Sequence, residues 1–327
     1  MKPSVLLYYP VKPEALTRLQ EHCHVHYFPN GPTVENQQSF DTVLSQSEGI
    51  IGSGLAVNAG LLAKAPILRV AATISVGYDN FDVETMTDRG ILLTNTPDIL
   101  TETTADAIFA LLMATARRIP ELDQLVKSGN WKKMIGADLY GCDVHHKTLG
   151  IIGMGRVGQA IAKRAHLGFN MPILYTNRSA RPEVEQAFSA ERCELEDLLK
   201  RSDFVCLIIS LSPETANLID EAQFTLMKPS AILINGARGP VVNEQALIHA
   251  LKTKQIRAAG LDVYNVEPLP ADSKLHGLDN LVTLPHIGSA TTETRDAMVD
   301  TAIDNLIQGL QGTIKHNMVN PEVLKKA

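Results

Sequence analysis

The stretch from Leu149 to Gly158, which reads LGIIGMGRVG, decides the fold. Four small or apolar residues typical of a buried strand lead directly into three glycines with the spacing G-x-G-x-x-G. Apolar residues at Ala160, Ile161 and Ala165 then follow with the periodicity of a helix. A strand, a glycine turn and a helix in this order indicate the phosphate-binding turn of a dinucleotide-binding domain.

Each glycine of this turn has its own physical task. Gly153 permits the tight turn, Gly155 lets the backbone approach a pyrophosphate, and Gly158 lets the helix pack closely against the strand. The helix begins at Arg156 and Val157, and the N–H groups and partial positive charge of a helix N-terminus attract phosphates. We therefore expect these five residues to contact the cofactor.

The end of the next predicted strand, about twenty residues past the glycines, indicates which dinucleotide binds. An NAD enzyme usually carries an acid there, which binds the ribose 2′-hydroxyl. This chain has Asn177, Arg178 and Ser179 instead, with no carboxylate nearby. Arg178 would attract a 2′-phosphate, and Ser179 could donate a hydrogen bond to it. The sequence therefore predicts that NADPH is the preferred cofactor and that NADH is less favoured.

Short apolar runs alternate with helical patterns on both sides of the glycine turn, which predicts βαβ units and parallel sheets. Six strands from the turn onward match a full dinucleotide-binding sheet; they are residues 149–152, 173–176, 204–210, 231–235, 257–263 and 281–285. Five earlier strands are residues 5–9, 24–28, 49–53, 68–75 and 91–95. A long helical stretch that Pro120 should kink separates the two series. The predicted fold class is α/β, with two doubly wound parallel-sheet domains: a Rossmann cofactor domain and a smaller flavodoxin-like substrate domain.

Composition and charge exclude several classes of function. The chain has 327 residues and a formal net charge of −6 without a basic block, so we expect about two domains and no nucleic-acid partner. Its apolar runs are too short for a membrane span or a signal peptide, so we expect no membrane contact and a cytoplasmic protein. The four cysteines lack a ligand or disulfide spacing, and His24 and His26 lack a third ligand, so no metal site is expected.

Three ionisable residues follow strands of the second series. Arg238 comes after the fourth strand, Glu267 after the fifth and His286 directly after the sixth. Open α/β sheets bind ligands at the carboxyl ends of their strands, so the three side chains are expected to converge near the nicotinamide. Taken alone, each residue could have a purely structural role. Arg238 could cap a strand end, Glu267 could be a solvated carboxylate, and His286 could be a core histidine.

The chemistry of ketone reduction assigns a role to each of these residues. The reaction needs a hydride at carbon and a proton at oxygen, and histidine is the natural acid near neutral pH. We therefore expect His286 to donate the proton, with Glu267 beside it to stabilise the imidazolium. Arg238 would bind the substrate carboxylate and polarise the carbonyl. Asp262 could accept a hydrogen bond from the nicotinamide amide.

These motifs, taken together and in order, resemble the D-isomer-specific 2-hydroxyacid dehydrogenases. The resemblance is closest to the branch of glyoxylate/hydroxypyruvate reductases, which includes enzymes also described as 2-ketogluconate reductases. It extends along nearly the whole chain. The matching residues are 75–80 (SVGYDN), 153–158 (GMGRVG), 235–239 (NGARG), 260–263 (GLDV), 267–268 (EP) and 285–290 (PHIGSA).

The resemblance implies that Arg238, Glu267 and His286 form the catalytic set. It also implies that backbone N–H groups around Val76 and Gly77, at the end of a strand of the first domain, hold the substrate carboxylate. The full set of expected contacts adds Ser289 for the substrate and Ala237, His286 and Gly288 for the cofactor.

The resemblance also implies a domain organisation and an oligomeric state. Residues 1–99 with 290–327 would form a discontinuous substrate-binding domain, and residues 100–289 would form the dinucleotide-binding domain. The family is usually homodimeric, and residues 107–126 and 131–140 are expected parts of the interface. The expected partners are therefore a small 2-keto acid and a second copy of the chain.

Two alternatives to reduction of glyoxylate and hydroxypyruvate remain open at this point. The same chemistry could act on 2-ketogluconate or another longer 2-keto acid, because side-chain preference depends on loops of the first domain. A protein of the same fold could instead be a non-enzymatic dinucleotide sensor, because fold alone does not determine function. The presence of all three catalytic candidates favours the enzyme.

Overall fold

In this computed structural model, which describes residues 2–325, the amino-terminal part of the chain alternates short strands with helices. The strands are β1 (Ser4–Leu7), β2 (His24–Tyr27), β3 (Gly49–Gly52), β4 (Val70–Thr73) and β5 (Leu92–Thr94). The helices are α1 (Pro13–His22), α2 (Gln37–Ser45), α3 (Ala59–Ala63) and α4 (Val83–Asp88). The five strands are parallel in the order β2-β1-β3-β4-β5, which is the flavodoxin-like order. Strands β3 and β4 are buried throughout, as expected where helices cover both faces.

The long helical stretch after β5 divides into α5 (Thr101–Ala116) and α6 (Ile119–Lys127). The break falls at Arg118, which has a left-handed backbone with φ 55°. Pro120 lies in the first turn of α6, where its missing N–H removes no helical hydrogen bond. The expected interruption near Pro120 is therefore the start of a new helix.

The second series begins with β6 and forms a larger sheet. Its strands are β6 (Leu149–Ile152), β7 (Ile173–Thr176), β8 (Glu191–Arg192), β9 (Phe204–Leu207), β10 (Ile232–Asn235), β11 (Ala258–Leu261) and β12 (Leu281–Thr283). Its helices are α7 (Arg156–Phe169), α8 (Pro182–Phe188), α9 (Leu195–Arg201), α10 (Glu221–Leu226) and α11 (Glu244–Lys252). The parallel order is β12-β11-β10-β9-β6-β7-β8. The strand order reverses between β6 and β9, the position where such sheets bind ligands.

One strand of this sheet was not expected from the sequence. Strand β8 has only two residues, Glu191 and Arg192, which pair with Leu174 and Tyr175 of β7. Both residues of β8 are exposed and polar, so no apolar run announces the strand. The sheet therefore has seven strands where six were predicted.

The carboxyl-terminal part of the chain returns to the first sheet. Helix α12 (Thr292–Gln311) buries Met298, Ala302 and Leu306 in the same apolar core as β1, β3 and β4. The segment after it lies along β5, where Met318 pairs antiparallel with Thr94. This segment covers the exposed edge of β5, an edge that would otherwise offer free hydrogen-bonding groups to another strand.

The chain divides into two compact units. The first runs to Leu100 and resumes at Thr291, and the second is Thr101–Ala290. Both units are parallel sheets with interleaved helices, so the predicted α/β fold class with two doubly wound sheets is confirmed. Among residues 2–325, no helix combines the length and apolarity that a bilayer crossing requires.

Candidate active site

The turn after β6 is built so that two of its glycines accept no larger residue. Gly153 has φ 102°, and a Cβ atom there would lie 2.3 Å from the carbonyl oxygen of Ile208. A Cβ atom on Gly158 would lie 2.2 Å from the carbonyl oxygen of Gly153. Between β6 and α7 the backbone therefore passes so close to neighbouring carbonyl groups that only glycine fits at positions 153 and 158.

Gly155 differs from the other two because the protein leaves space beside it. Apart from Gly155 and its two chain neighbours, no atom of residues 2–325 lies within 4 Å of the position that its Cβ would take. Gly155 is also the N-cap of α7, and no side chain of the described residues caps this helix end. The first N–H groups of a helix have no intrahelical partner and carry a partial positive charge. The turn therefore fits the pyrophosphate of a dinucleotide, which would occupy the space that a Cβ would fill.

The loop after β7 carries Asn177, Arg178 and Ser179, the residues expected to choose the cofactor. Arg178 and Ser179 are exposed, and Asn177 Nδ2 donates to the carbonyl oxygen of Ser179 at 3.0 Å. Arg192, on β8, supports this loop from the neighbouring strand. Its Nη2 donates to the carbonyl oxygens of Asn177 at 3.1 Å and Arg178 at 3.4 Å. Sequence reasoning missed Arg192 because its strand has no apolar signal.

A second contact fixes the far side of the same loop. The Tyr175 hydroxyl donates to Glu185 Oε1 at 2.6 Å and accepts the N–H of Arg181 at 2.7 Å. The Glu185 carboxylate is thus engaged by Tyr175. Arg178 and Ser179 lie on the exposed face of the loop. A positive charge and a hydroxyl donor are groups that can bind a 2′-phosphate.

Strands β10, β11 and β12 are adjacent and parallel, so their carboxyl ends lie at one edge of the sheet. Asp262 N donates to the carbonyl oxygen of Asn235 at 3.0 Å, and Leu284 N donates to that of Leu261 at 2.8 Å. The segments after the three strands therefore leave the sheet side by side. These segments carry the three catalytic candidates.

His286 and Glu267 are in direct contact. His286 Nδ1 lies 2.7 Å from Glu267 Oε2, and Glu267 Oε1 accepts the N–H of Tyr264 at 2.9 Å. The carboxylate is therefore held through both oxygens, and the contact leaves Nε2 as the imidazole nitrogen that can exchange a proton with a substrate. The side chains are 46% and 34% exposed, so solvent can replace a transferred proton.

Asp262 holds the turn on which His286 stands. It is only 2% exposed, and it accepts the N–H of Ile287 at 2.7 Å and that of Gly288 at 2.9 Å, one through each oxygen. Burial raises the pKa of Asp262, and these two N–H groups oppose that rise. The sequence suggested Asp262 only for the cofactor, because its bonds depend on the conformation of a turn 25 residues away.

Arg238 stands in a loop that is tied to the segment bearing Glu267. Asn235 Nδ2 donates to the carbonyl oxygen of Arg238 at 3.0 Å, and Arg238 Nη1 donates to that of Ala237 at 3.0 Å. A Cβ atom on Gly239 would lie 1.9 Å from the carbonyl carbon of Tyr264. The two loops therefore touch backbone to backbone. The structure thus brings the Arg238 loop against the segment that holds the His286–Glu267 pair.

The remaining expected site residues are placed in both units. Ala237 and Gly288 are buried and Ser289 is partly buried, all in the second unit beside the catalytic candidates in the sequence. Val76 and Gly77 lie in the first unit, in the loop after β4, and are partly buried.

The chain is similar to known proteins along its whole length. Residues 109–288 match the family described as "D-isomer specific 2-hydroxyacid dehydrogenase, NAD binding domain". A glyoxylate/hydroxypyruvate reductase B of Erwinia tasmaniensis is 56% identical over 321 residues, covering 98% of this chain and 100% of that protein. A protein of the same name from Escherichia coli strain K12 is 55% identical over 324 residues, covering 99% of each.

Two solved structures also match this chain over nearly its whole length. A protein from Thermus thermophilus has a TM-score of 0.86 and 39% identity, covering 96% of this chain and 99% of that one. An NADPH-dependent glyoxylate/hydroxypyruvate reductase from Sinorhizobium meliloti, solved with NADP and malonate, has a TM-score of 0.85 and 30% identity. That match covers 98% of this chain and 97% of that chain.

Fold, turn and relatives agree on the class of protein, an NAD(P)-dependent oxidoreductase that uses a nicotinamide dinucleotide. Within that class, the chain belongs to the D-isomer specific 2-hydroxyacid dehydrogenase family, in the branch of its glyoxylate/hydroxypyruvate reductase B relatives. The resemblance drawn from the sequence is confirmed. Membership in this enzyme family goes against the alternative of a non-enzymatic sensor.

Proposed function

We propose that this chain reduces glyoxylate and hydroxypyruvate to the corresponding 2-hydroxy acids, of D configuration where the product is chiral, with NADPH as the preferred reductant. The observation that carries the proposal is the 2.7 Å contact between His286 and Glu267, at the strand edge of the sheet that bears the glycine turn. Relatives with 55% and 56% identity over nearly the whole chain are named for these two substrates.

The proposed reaction divides between the cofactor and the side chains. NADPH, when bound, supplies the hydride that reduces the carbonyl carbon. His286 donates the proton from Nε2 to the carbonyl oxygen, which completes the hydroxyl group and leaves a neutral imidazole. Glu267 stabilises the protonated imidazole before transfer and keeps the ring oriented through Nδ1. Solvent then returns a proton to the imidazole.

We assign anion recognition to two sets of groups. Arg238 is a permanent cation that binds the substrate carboxylate and polarises the carbonyl, which favours the negative charge developing on the oxygen. The N–H groups of Val76 and Gly77 also hold the substrate carboxylate, and Ser289 is a further substrate contact. The first unit is accordingly the substrate-binding domain in this proposal, and the second is the dinucleotide-binding domain.

The proposed preference for NADPH rests on the loop after β7. A 2′-phosphate would meet Arg178 and Ser179 on the exposed face, without an acid in residues 177–181 to repel it. Arg192 adds a further positive charge behind the loop. The related reductase of Sinorhizobium meliloti is NADPH-dependent. Asp262, Ala237 and Gly288 are assigned to the nicotinamide end of the cofactor.

A substrate panel with both cofactors tests the proposal. Glyoxylate, hydroxypyruvate and 2-ketogluconate are assayed with NADPH and NADH, and the highest kcat/KM is expected for the two small acids with NADPH. His286→Ala should lower kcat by about 100-fold or more while leaving NADPH binding nearly unchanged. The control is His249→Ala, an exposed histidine on α11, which should behave as the native protein. Near-native kcat in His286→Ala would refute the proton-donor role.

We also propose that the chain forms a homodimer in the cytoplasm. Trp131, Met134 and Tyr140 are 53%, 81% and 56% exposed in one segment after α6, an unusual concentration of apolar surface. All four cysteines are unpaired, which fits a reducing compartment. Light scattering should give twice the chain mass for the native protein and a lower mass for Met134→Glu. The control Val34→Glu, at a fully exposed valine of the first unit, should leave the mass unchanged.

A further inference from the structure

The loop after β4 is held in place by its own carbonyl oxygens. The carbonyl oxygen of Ser75 accepts the N–H of Thr96 at 2.9 Å. That of Val76 accepts Asn95 Nδ2 at 2.9 Å. That of Gly77 accepts the Ser75 hydroxyl at 2.8 Å. Three successive carbonyl groups are therefore engaged by the first unit itself.

This anchoring also determines where the N–H groups point. In a planar trans peptide, the C=O of one residue and the N–H of the next point in opposite directions. Because Asn95 holds the carbonyl of Val76, it fixes the direction of the Gly77 N–H. Thr96 fixes the Val76 N–H in the same way through Ser75. Within residues 2–325, neither of these two N–H groups donates a hydrogen bond, so both are available to an anion.

We propose that Asn95 is a positioning residue for the substrate carboxylate, acting by holding the Gly77 N–H toward it. This inference rests on the proposed function, which assigns the N–H groups of Val76 and Gly77 to that carboxylate. Donors that are oriented before binding stabilise an anion without the cost of reorganisation. The side-chain amide of Asn95 supplies that orientation at the position where Gly77 would otherwise leave the backbone most flexible.

Asn95 is itself fixed by the carboxyl-terminal part of the chain. Its N–H donates to the carbonyl oxygen of Asn317 at 3.1 Å, and its carbonyl oxygen accepts Asn305 Nδ2 at 2.9 Å. Asn317 Nδ2 closes the ring by donating to Asn305 Oδ1 at 3.1 Å. Asn305 is only 5% exposed, so little water competes for these bonds. The backbone of Asn95 is thus tied to α12 through the Asn305 side chain and to the segment after α12 through the carbonyl oxygen of Asn317.

Two variants of Asn95 test this role. Asn95→Leu keeps the approximate size but removes the donor, and Asn95→Asp places a carboxylate against the carbonyl of Val76. We expect KM for glyoxylate to rise by about tenfold in Asn95→Leu and by more in Asn95→Asp, with kcat changed by less than about threefold. A carboxylate bound equally in the ground state and the transition state affects KM and not kcat. The Kd of oxamate, a 2-keto acid analogue that is not reduced, should rise by the same factor, with the Kd of NADPH unchanged.

Asn317→Gly is the matched control. It removes a side-chain bond of the same ring but leaves the backbone oxygen that accepts from Asn95, and glycine tolerates the φ of 63° at this position. We expect a lower Tm with KM for glyoxylate within about twofold of the native value. Equal KM increases in the control and in Asn95→Leu would show a general loss of stability and overturn the inference.

The possible failures are distinguishable. If the native protein reduces glyoxylate and Asn95→Leu has native KM and native oxamate affinity, the positioning role is wrong and the proposed function stands. If the native protein reduces no 2-keto acid, the proposed function is wrong, and the inference falls with it. A variant that does not fold is replaced by Asn95→Ser, which lacks the reach to Val76 and should show the same KM increase.

Discussion

Asp262 fixes the backbone on which His286 stands, because its carboxylate accepts the N–H groups of Ile287 and Gly288, the two residues that follow His286. His286 has a left-handed backbone with φ 54°, a conformation that costs a non-glycine residue roughly 1 kcal/mol. The bonds from Ile287 N and Gly288 N to Asp262, at 2.7 and 2.9 Å, offset that cost. The direction of the imidazole therefore depends on a buried acid at the end of the neighbouring strand.

Asp262→Asn should weaken this turn and reduce kcat by about tenfold, because the amide accepts one N–H and presents its own donor to the other. The same variant should change how stability depends on pH. Burial raises the pKa of Asp262 in the folded protein, so the folded state binds that proton more tightly than the unfolded state. The contribution of Asp262 is therefore greatest at low pH and is lost as pH rises from about 3.9 through the raised value.

The measurement is the free energy of unfolding in urea for both proteins between about pH 3.5 and 6.5. The native value minus the Asp262→Asn value should decrease as pH rises, because asparagine does not titrate. A difference that increases with pH would mean that folding favours the charged carboxylate and would contradict the effect of burial.

Glu267→Gln should retain the shape of the site and lose the charge that stabilises the protonated imidazole. We expect kcat to fall by roughly 10- to 100-fold, because the protonated imidazole that donates the proton loses the negative charge beside it. The kcat of both proteins with glyoxylate and NADPH checks this. Glu244→Gln, at the start of α11, is the control. A native kcat in Glu267→Gln would show that the charge of Glu267 does not assist proton transfer.

Gly155 and Gly158 should respond in opposite ways to alanine. In Gly155→Ala the new Cβ meets no atom of residues 2–325 beyond its chain neighbours, so the Tm without cofactor should be unchanged or slightly higher, while the Kd of NADPH rises by about tenfold or more. Gly158→Ala would place Cβ 2.2 Å from a carbonyl oxygen and should lower the Tm directly. Gly168→Ala, at an open position on α7, is the control. Unaltered NADPH binding in Gly155→Ala would contradict the position assigned to the pyrophosphate.

Arg178→Ala should raise KM for NADPH by roughly 10- to 100-fold, since a charge-assisted hydrogen bond to the 2′-phosphate is lost. KM for NADH should change by less than about twofold, because NADH lacks that phosphate. Arg201→Ala provides the control: this arginine pairs with Glu191 and Asp197 and has no bond to the loop after β7 within residues 2–325. An equal increase of KM for NADPH and NADH would show that Arg178 does not bind the 2′-phosphate.

The sequence was sufficient for those parts of the site whose chemistry depends on local pattern. The glycine spacing after β6 predicted a turn that the structure shows to be sterically obligatory at Gly153 and Gly158. Strand-end positions indicated His286 and Glu267, which are in contact. These features could be predicted because each requires a particular residue type at a fixed position relative to a strand.

Other features could not be predicted because they depend on tertiary pairing. Arg192 is exposed and polar, and its role follows only from the alignment of β8 beside β7. The two bonds to Asp262 require the turn after β12 to fold back over β11. Asn95 is an ordinary strand-end asparagine until α12 and the chain after it are in place. In each case the partner lies at least 14 residues away in the sequence, so no local sequence pattern indicates the contact.

The return of α12 to the first sheet has a consequence for biosynthesis. Strands β1 to β5 leave the ribosome first, yet the core between them and α12 is completed only after residues 101–290 have been translated. The second unit is continuous and can fold as soon as it emerges, since domains generally fold as units during synthesis. The unit whose synthesis begins first is thus completed last, and its apolar strands wait without α12 while residues 101–290 are being translated.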